Sequence, residues 1–408
     1  MKMMMIKTPI WIFLMETKMK KNILLSILSI FLLENIFSEN TENIKNFVKG
    51  NLSEKTAAVK AATKDDVEEL SKRAIDFSIE NKEILGEDRE LAALAVSGIL
   101  AVPSDFVDAL EEPEKEKISD NLLNLYNLFN DETVKIAVLN KISKLNISTE
   151  KFKESLNSYL SNCNPETENK LILISSIQTV GTIGDADSFN ILLGNIQKNE
   201  WQPYQNETEK ALGQLCVKAE KELIEIIGKG NVSECRKIFE FVLKNQKNNQ
   251  IFCAKISESV LARTIYIYEN SGSASEEMIS LQIDSFCVLR DLKWTRAAAT
   301  TIKFFDIAVK EFEDSQMSEK NFCLVIEGIA ETSPIESVSK LSAYLSVQNK
   351  SMEKENSKVS EPVVLSLIKT LGAIGDKNAF DSLLAVAYYN YSDTVIAEAR
   401  EALAKLKW

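Results

Sequence analysis

Val180-Gly181-Thr182-Ile183-Gly184-Asp185 and Leu371-Gly372-Ala373-Ile374-Gly375-Asp376 are two versions of one pattern, 191 residues apart. Around them, residues 170–215 align without a gap on residues 361–406, with 15 identities in 46 pairs. The identities include Phe189/Phe380, Leu192/Leu383, Leu193/Leu384, Ala211/Ala402, Leu212/Leu403 and Leu215/Leu406. The spacing divides into five units of about 38 residues, the length of a two-helix solenoid repeat. One elongated array, in which each unit touches only its neighbours, is therefore expected in place of several globular domains.

The pattern explains itself locally. Leu171–Ile183 has helical periodicity, and Gly184 stands where a left-handed C-terminal residue costs little only for glycine. Asp185 can then cap the next helix by accepting from its first free amides. That helix would place Phe189, Leu192, Leu193 and Ile196 on one face. Gly375 and Asp376, followed by Phe380, Leu383, Leu384 and Ala387, repeat the layout. Gly181 and Gly372 fall inside the first helix of each pair. Each costs ~1 kcal/mol relative to Ala there, so close approach of a neighbouring helix is the expected compensation.

Outward from the two copies, helical patterns of about 12–22 residues run almost without interruption. Asp65-Asp66 is read as the cap of a helix carrying Val67, Leu70, Ala74 and Phe77. Leu91–Val102 and Ile118–Phe129 are further helices, and Asn130-Asp131 begins another. Ser280–Leu292 pairs with Thr295–Val309. Phe322–Ala330 pairs with Ile335–Leu345, with Pro334 in place of the Gly-Asp corner. Polar runs at Asn270–Glu277 and Lys350–Glu361 are read as loops, the second as a candidate for local disorder or a hinge. Residues 39–64 lack a strong apolar stripe and are read as a polar linker or a frayed first helix. No boundary splits the array over 65–408. The expected class is all-α, with low Gly and Pro (13 and 7) leaving few breakers.

The N-terminus reads as an export signal. Lys20 and Lys21 precede Ile23–Leu33, eleven residues that are apolar but for two serines, and Ile36-Phe37-Ser38 offers a small residue for cleavage. Eleven residues fall far short of the ~20 that span a bilayer as a helix. Met19 would be a natural start for such a signal, making residues 1–38 the signal region. An uncleaved anchor built from both apolar patches is the alternative. Export implies a periplasmic or secreted location, with no integral span after cleavage. Without residues 1–38 the chain keeps 43 basic and 58 acidic side chains, net −15. Such a surface repels phosphate backbones, which argues against nucleic acid as a partner.

Histidine is absent. Ser-His-Asp and Cys-His sites, HExxH zinc and the two-His-one-carboxylate iron site are thereby excluded. No Walker A loop, no GxGxxG after a strand and no CxxC pair is present, so no cofactor or metal is called for. The six cysteines (Cys163, Cys216, Cys235, Cys253, Cys287 and Cys323) are at least 18 residues apart and flank apolar positions. They are read mostly as small core hydrophobes.

At the Gly-x-Ile-Gly-Asp turn the chain resembles the HEAT repeats, in particular the short HEAT-like type of the phycobilisome lyases. The resemblance rests on Gly181–Asp185 and Gly372–Asp376, the following Phe-x-x-Leu-Leu, and Ala-Leu-x-x-Leu at 211–215 and 402–406. It covers about a quarter of the chain. It implies a right-handed α-solenoid with first helices outside and second helices on a concave inner layer. The family mostly supplies binding platforms and only occasionally enzymes, and fold does not transfer function.

Candidate binding residues are aromatic. Trp201 and Tyr204 stand between repeats near the first motif, and Tyr388, Tyr389 and Tyr391 stand near the second. Tyr388 and Tyr391 continue the helical stripe of Phe380 and Leu384 and are expected buried, which leaves Tyr389 as the surface residue. Tyr266 and Tyr268 with Arg263, and Trp294 with Lys293 and Arg296, are aromatic-basic clusters. They suit an acidic peptide or a carbohydrate, or else are bases snorkelling beside half-buried rings. Together these features lead to an exported, non-catalytic protein-binding scaffold or assembly factor of the cell envelope, whose partner carries a basic patch. A HEAT-like lyase needs a pocket with clustered Glu, Tyr or Cys, which the sequence does not display. A HEAT-like DNA-repair glycosylase needs a basic groove, which the net charge opposes.

Overall fold

Every regular element in the computed structural model is helical, and no strand forms among the described residues, 41–352 and 359–407. The expected export signal lies outside them, as does the middle of the Lys350–Glu361 run. An isolated bridge from Asp376 to Lys407 is the sole extended pairing described. Backbone contacts divide the chain into two units between Leu212 and Gly213.

The first unit contains α1 (Thr41–Lys49), α2 (Leu52–Lys60), α3 (Val67–Leu85), α4 (Arg89–Ala101), α5 (Ser104–Asp108) and α6 (Glu112–Leu128). It continues with α7 (Glu132–Leu145), α8 (Glu150–Asn162), α9 (Lys170–Ile183) and α10 (Ala186–Ile196), and ends within α11 (Gln205–Leu215). Two rows emerge from the packing. Helices α2, α4, α7 and α9 touch in succession, and so do α3, α6, α8 and α10, while chain neighbours cross-link the rows. The expected linker at 39–64 is corrected here, because α1 and α2 fill it. Phe47, Ala58 and Val59 pack with Leu70, Ala74 and Leu94 into a small core. Lys55 is buried and bonded to the Phe47 carbonyl, with its ammonium 5.0 Å from each of the Phe47 and Phe77 rings. Asn51 and Glu54 form a reciprocal capping box at the start of α2. Ile44, Phe47 and Val48 give α1 a short apolar face of helical spacing, and α2 adds Ala58 and Val59, enough for burial against the next helices.

The second unit contains α12 (Glu220–Lys229), α13 (Val232–Asn245), α14 (Gln250–Ser271), α15 (Glu276–Asp291) and α16 (Ala298–Glu313). It ends with α17 (Glu319–Thr332), α18 (Glu336–Ser351), α19 (Glu361–Ile374), α20 (Phe380–Ala385) and α21 (Asp393–Ala404). The rows are again alternate: α13, α15, α17, α19 and α21 in one, and α12, α14, α16, α18 and α20 in the other. One continuous core runs through them, from Ala254 and Leu261 through Phe286, Phe304 and Phe322 to Leu371, Leu383 and Leu406. Among the described residues, nine α-helices of differing length lie between α9 and α19 in the chain.

Most caps form where the sequence places them. Asp131 accepts from the Thr133 and Val134 amides, and Asp185 from those of Asp187 and Ser188. Asp66 is an exception: it stands at the N-cap of α3 but turns back to accept from Thr63 and Asn43. The two Gly-Asp corners are alike in position and unlike in conformation. Gly375 is left-handed (φ 71°, ψ 21°), as expected. Gly184 is not, having φ −65° and ψ −179°. There a Cβ would fall 2.5 Å from the Val180 carbonyl oxygen and 2.8 Å from the Ser188 Cβ, so glycine is required by space and not by handedness. The compensation expected for Gly372 is present, since a Cβ on it would lie 2.8 Å from that of Ala402 on α21. Gly181 is buried within α9.

Candidate functional site

α14 is the longest helix described, and it gathers two clusters that the sequence keeps apart. The Arg263 Nε donates to the Gly230 carbonyl (2.9 Å), and its terminal nitrogen donates to that of Lys229 (3.2 Å). These carbonyls end α12, where a cation is favoured by the helix dipole. So anchored, the guanidinium lies 5.1 Å from the Tyr266 ring centre. Tyr266 is itself 55% exposed. An exposed cation–π contact of this kind is worth ~0.5–1 kcal/mol, a modest bias toward one ring orientation.

The second cluster reaches α14 from the turn after α15. The Trp294 indole N–H donates to the Glu258 carboxylate of α14 at 3.0 Å, and the Arg296 guanidinium covers the indole at 5.3 Å. Trp294 is half-buried and Arg296 exposed. Glu258 and Tyr266 are eight residues apart, about 12 Å along the helix axis at 1.5 Å per residue. Lys293 takes a left-handed backbone (φ 49°) and pairs with Glu331 at 3.0 Å, so it does not join the pair. The acids around α14 are largely spoken for, with Lys255 on Glu220 and Lys303 on Glu269.

Other sequence candidates go elsewhere. Trp201 and Tyr204 are core residues, 2% and 5% exposed, with ring centres 6.3 Å apart. The Tyr204 hydroxyl donates to the Pro165 carbonyl at 3.3 Å. This corrects the expectation of a surface anchor: the segment folds as a 3-10 turn, Asn199–Tyr204, that turns both rings inward. The order of the C-terminal tyrosines is also corrected. Tyr388 is 80% exposed, while Tyr389 and Tyr391 are half-buried, and the Tyr391 hydroxyl donates to the Asn349 side chain at 3.1 Å. The α-helical register stops at Ala385, and the 3-10 turn Val386–Tyr388 rotates the later positions off the stripe.

All six cysteines are free thiols, and Cys216, Cys235 and Cys253 are buried. Burial pushes the Cys216 and Cys235 thiols up to about 11, away from the reactive thiolate. Among the described residues no group of His, Cys, Asp or Glu could hold a metal ion. No described helix is long and apolar enough to cross a membrane.

The first unit holds a cavity of about 350 Å³ that sequence reasoning did not foresee. It lies among α3, the turn after α4 and α6, with Ile75, Val102 and Leu110 in its lining beside Lys72, Lys117 and Glu114. Glu68 and Glu114 line it, with neither tyrosine nor cysteine. Comparison with known proteins finds no matching family model, no matching curated protein and no matching solved structure.

Proposed function

We propose that this chain is an exported, HEAT-type α-solenoid that binds protein and acts as a scaffold or assembly factor of the cell envelope. The finer architecture belongs to the same proposal: right-handed stacking of antiparallel helix pairs, with the row containing α14, α16 and α18 as the partner-facing layer. What supports it is the pair of pre-oriented aromatic-basic clusters on α14. Tyr, Trp and Arg are enriched at binding hot spots, and a ring already biased toward one orientation loses less entropy on docking. The acidic remainder of the chain would meet a basic patch on the partner and speed encounter, without supplying most of the affinity. The repeated apolar rows supply the rigid support that such a surface needs.

The reading is tested by capture from envelope extracts. At low salt the full chain should retain a protein partner in fixed ratio, with the partner released as ionic strength rises. The Tyr266→Ala variant should hold that partner at least ~5-fold more weakly, as loss of a hot-spot residue predicts. Recovery of the protein alone at low salt would count against the proposal.

A further inference from the structure

Glu311 has no solvent exposure, and neither of its carboxyl oxygens has a hydrogen-bond partner. Gln282 on α15 is equally buried, with both side-chain amide atoms unpartnered. The two side chains face each other, Gln282 acting on the Glu311 carboxyl, yet neither completes a hydrogen bond of ordinary geometry, and buried polar groups left so call for a physical reason. An ionised carboxylate in such a place costs several kcal/mol, and the usual remedy is to remain neutral.

The surroundings offer no cation. On its own helix, α16, Lys303 pairs with Glu269 and Lys310 is exposed. From α18, Lys340 pairs with Asp306. From α15, Arg290 pairs with Asp291, while Asp284 is exposed. The ionisable groups of α17 nearest in sequence to its core face, Lys320 and Glu327, are exposed. From α14 comes Tyr268, a buried phenol that burial pushes up, with the charges of Glu311 and Asp314 adding to the rise. Burial likewise pushes the Glu311 carboxyl up to about 7, with the neighbouring Gln282 amide, as a hydrogen-bond donor, pulling the other way.

The backbone at Glu311 carries a turn. Its carbonyl accepts from the Gln316 amide at 2.8 Å and from the Met317 amide at 2.9 Å, closing Asp314–Met317 with Ser315 left-handed at φ 60°. The Gln316 side chain in turn accepts from the Ala274 amide, in the connection between α14 and α15. The Glu311 backbone thus holds the turn that follows it.

We propose that Glu311 is a built-in pH switch: neutral, it locks the Asp314–Met317 turn over the core of the second unit, and ionised, it loosens that turn. An acid whose value is raised on folding contributes stability that is complete below its unfolded value, near 4.5, and is lost as pH rises through about 7. The second unit should therefore be tightest in mildly acidic surroundings and loosen toward alkaline pH.

Hydrogen exchange and melting of the full chain test this, comparing wild type with Glu311→Gln. In the wild type, exchange at the Gln316 and Met317 amides, corrected for its intrinsic pH dependence, should rise between about pH 5 and pH 8 by up to ~10²-fold. In Glu311→Gln it should stay level, and the variant should melt above the wild type at the alkaline end with the gap closing in acid. A wild-type profile as level as the variant's, or a gap independent of pH, would overturn the proposal. Should the variant fail to fold, infrared spectra of the wild type decide. A protonated-carboxyl band persisting at about pH 6, where ordinary carboxyls are ionised, supports the switch, and its absence there refutes it.

Discussion

Gly184 and Gly375 exclude a side chain for partly different physical reasons, since a Cβ at Gly375 would also lie 3.0 Å from the Lys405 carbonyl oxygen, and substitution should separate them. Gly375 is left-handed, a conformation that Asn tolerates better than Ala. Gly184 has an ordinary φ but no room, with a carbonyl oxygen and a side chain inside the volume of a Cβ. Ala at either corner should cost roughly 1–3 kcal/mol by denaturant unfolding. Gly375→Asn should recover part of that loss and Gly184→Asn none; equal recovery at both would show that the corners share one conformation after all. The glycines were legible as corners because an unbroken apolar helix had to stop before the aspartate. Their conformations were not, because handedness depends on where the following helix leads the chain. The same limit applies to Glu311, which in the run Lys310-Glu311-Phe312-Glu313 reads as one more surface acid.

At the scale of the helix, caps and register decide what a sequence shows. Asp131 caps α7, and the Thr133 hydroxyl, followed by the Val134 and Thr133 amides, holds its carboxyl below the usual range in spite of partial burial. Its folded value is thus below its unfolded one, so its stabilisation is present above about pH 4 and is lost as pH falls through the folded value. Asp131→Ala should cost ~1 kcal/mol near neutrality. The difference from wild type should shrink in acid; a difference that is constant with pH would mean that the cap acts without its charge. Helix positions were legible across most of the chain, since 3.6-residue periodicity persists wherever one face is buried. Element ends were less so. The 3-10 turns at Asn199–Tyr204 and Val386–Tyr388 break that period, and there Trp201, Tyr204, Tyr388 and Tyr389 exchanged expected places between core and surface. Helices α1 and α2 show the converse, two short elements whose few apolar residues, Ile44, Phe47, Ala58 and Val59 among them, still build a core.

Across the whole molecule, alternate helices form two rows within each unit, and the chain divides inside α11, in the closing part of the first repeat copy. A division inside a helix leaves no linker composition, which is why no boundary was legible. The docking of Trp294 and Arg296 against α14 was likewise invisible in sequence, because it depends on the turn after α15 folding back onto Glu258. The claim that this surface binds protein is tested most directly by placing a photo-crosslinking residue at position 266, at 296 and, as a buried control, at 201, in cells that express the full chain. Binding through α14 predicts the same discrete protein adduct from 266 and 296, weakened at high salt, and none from 201. Adducts absent from both α14-side positions, or no more frequent there than at the buried control, would contradict it.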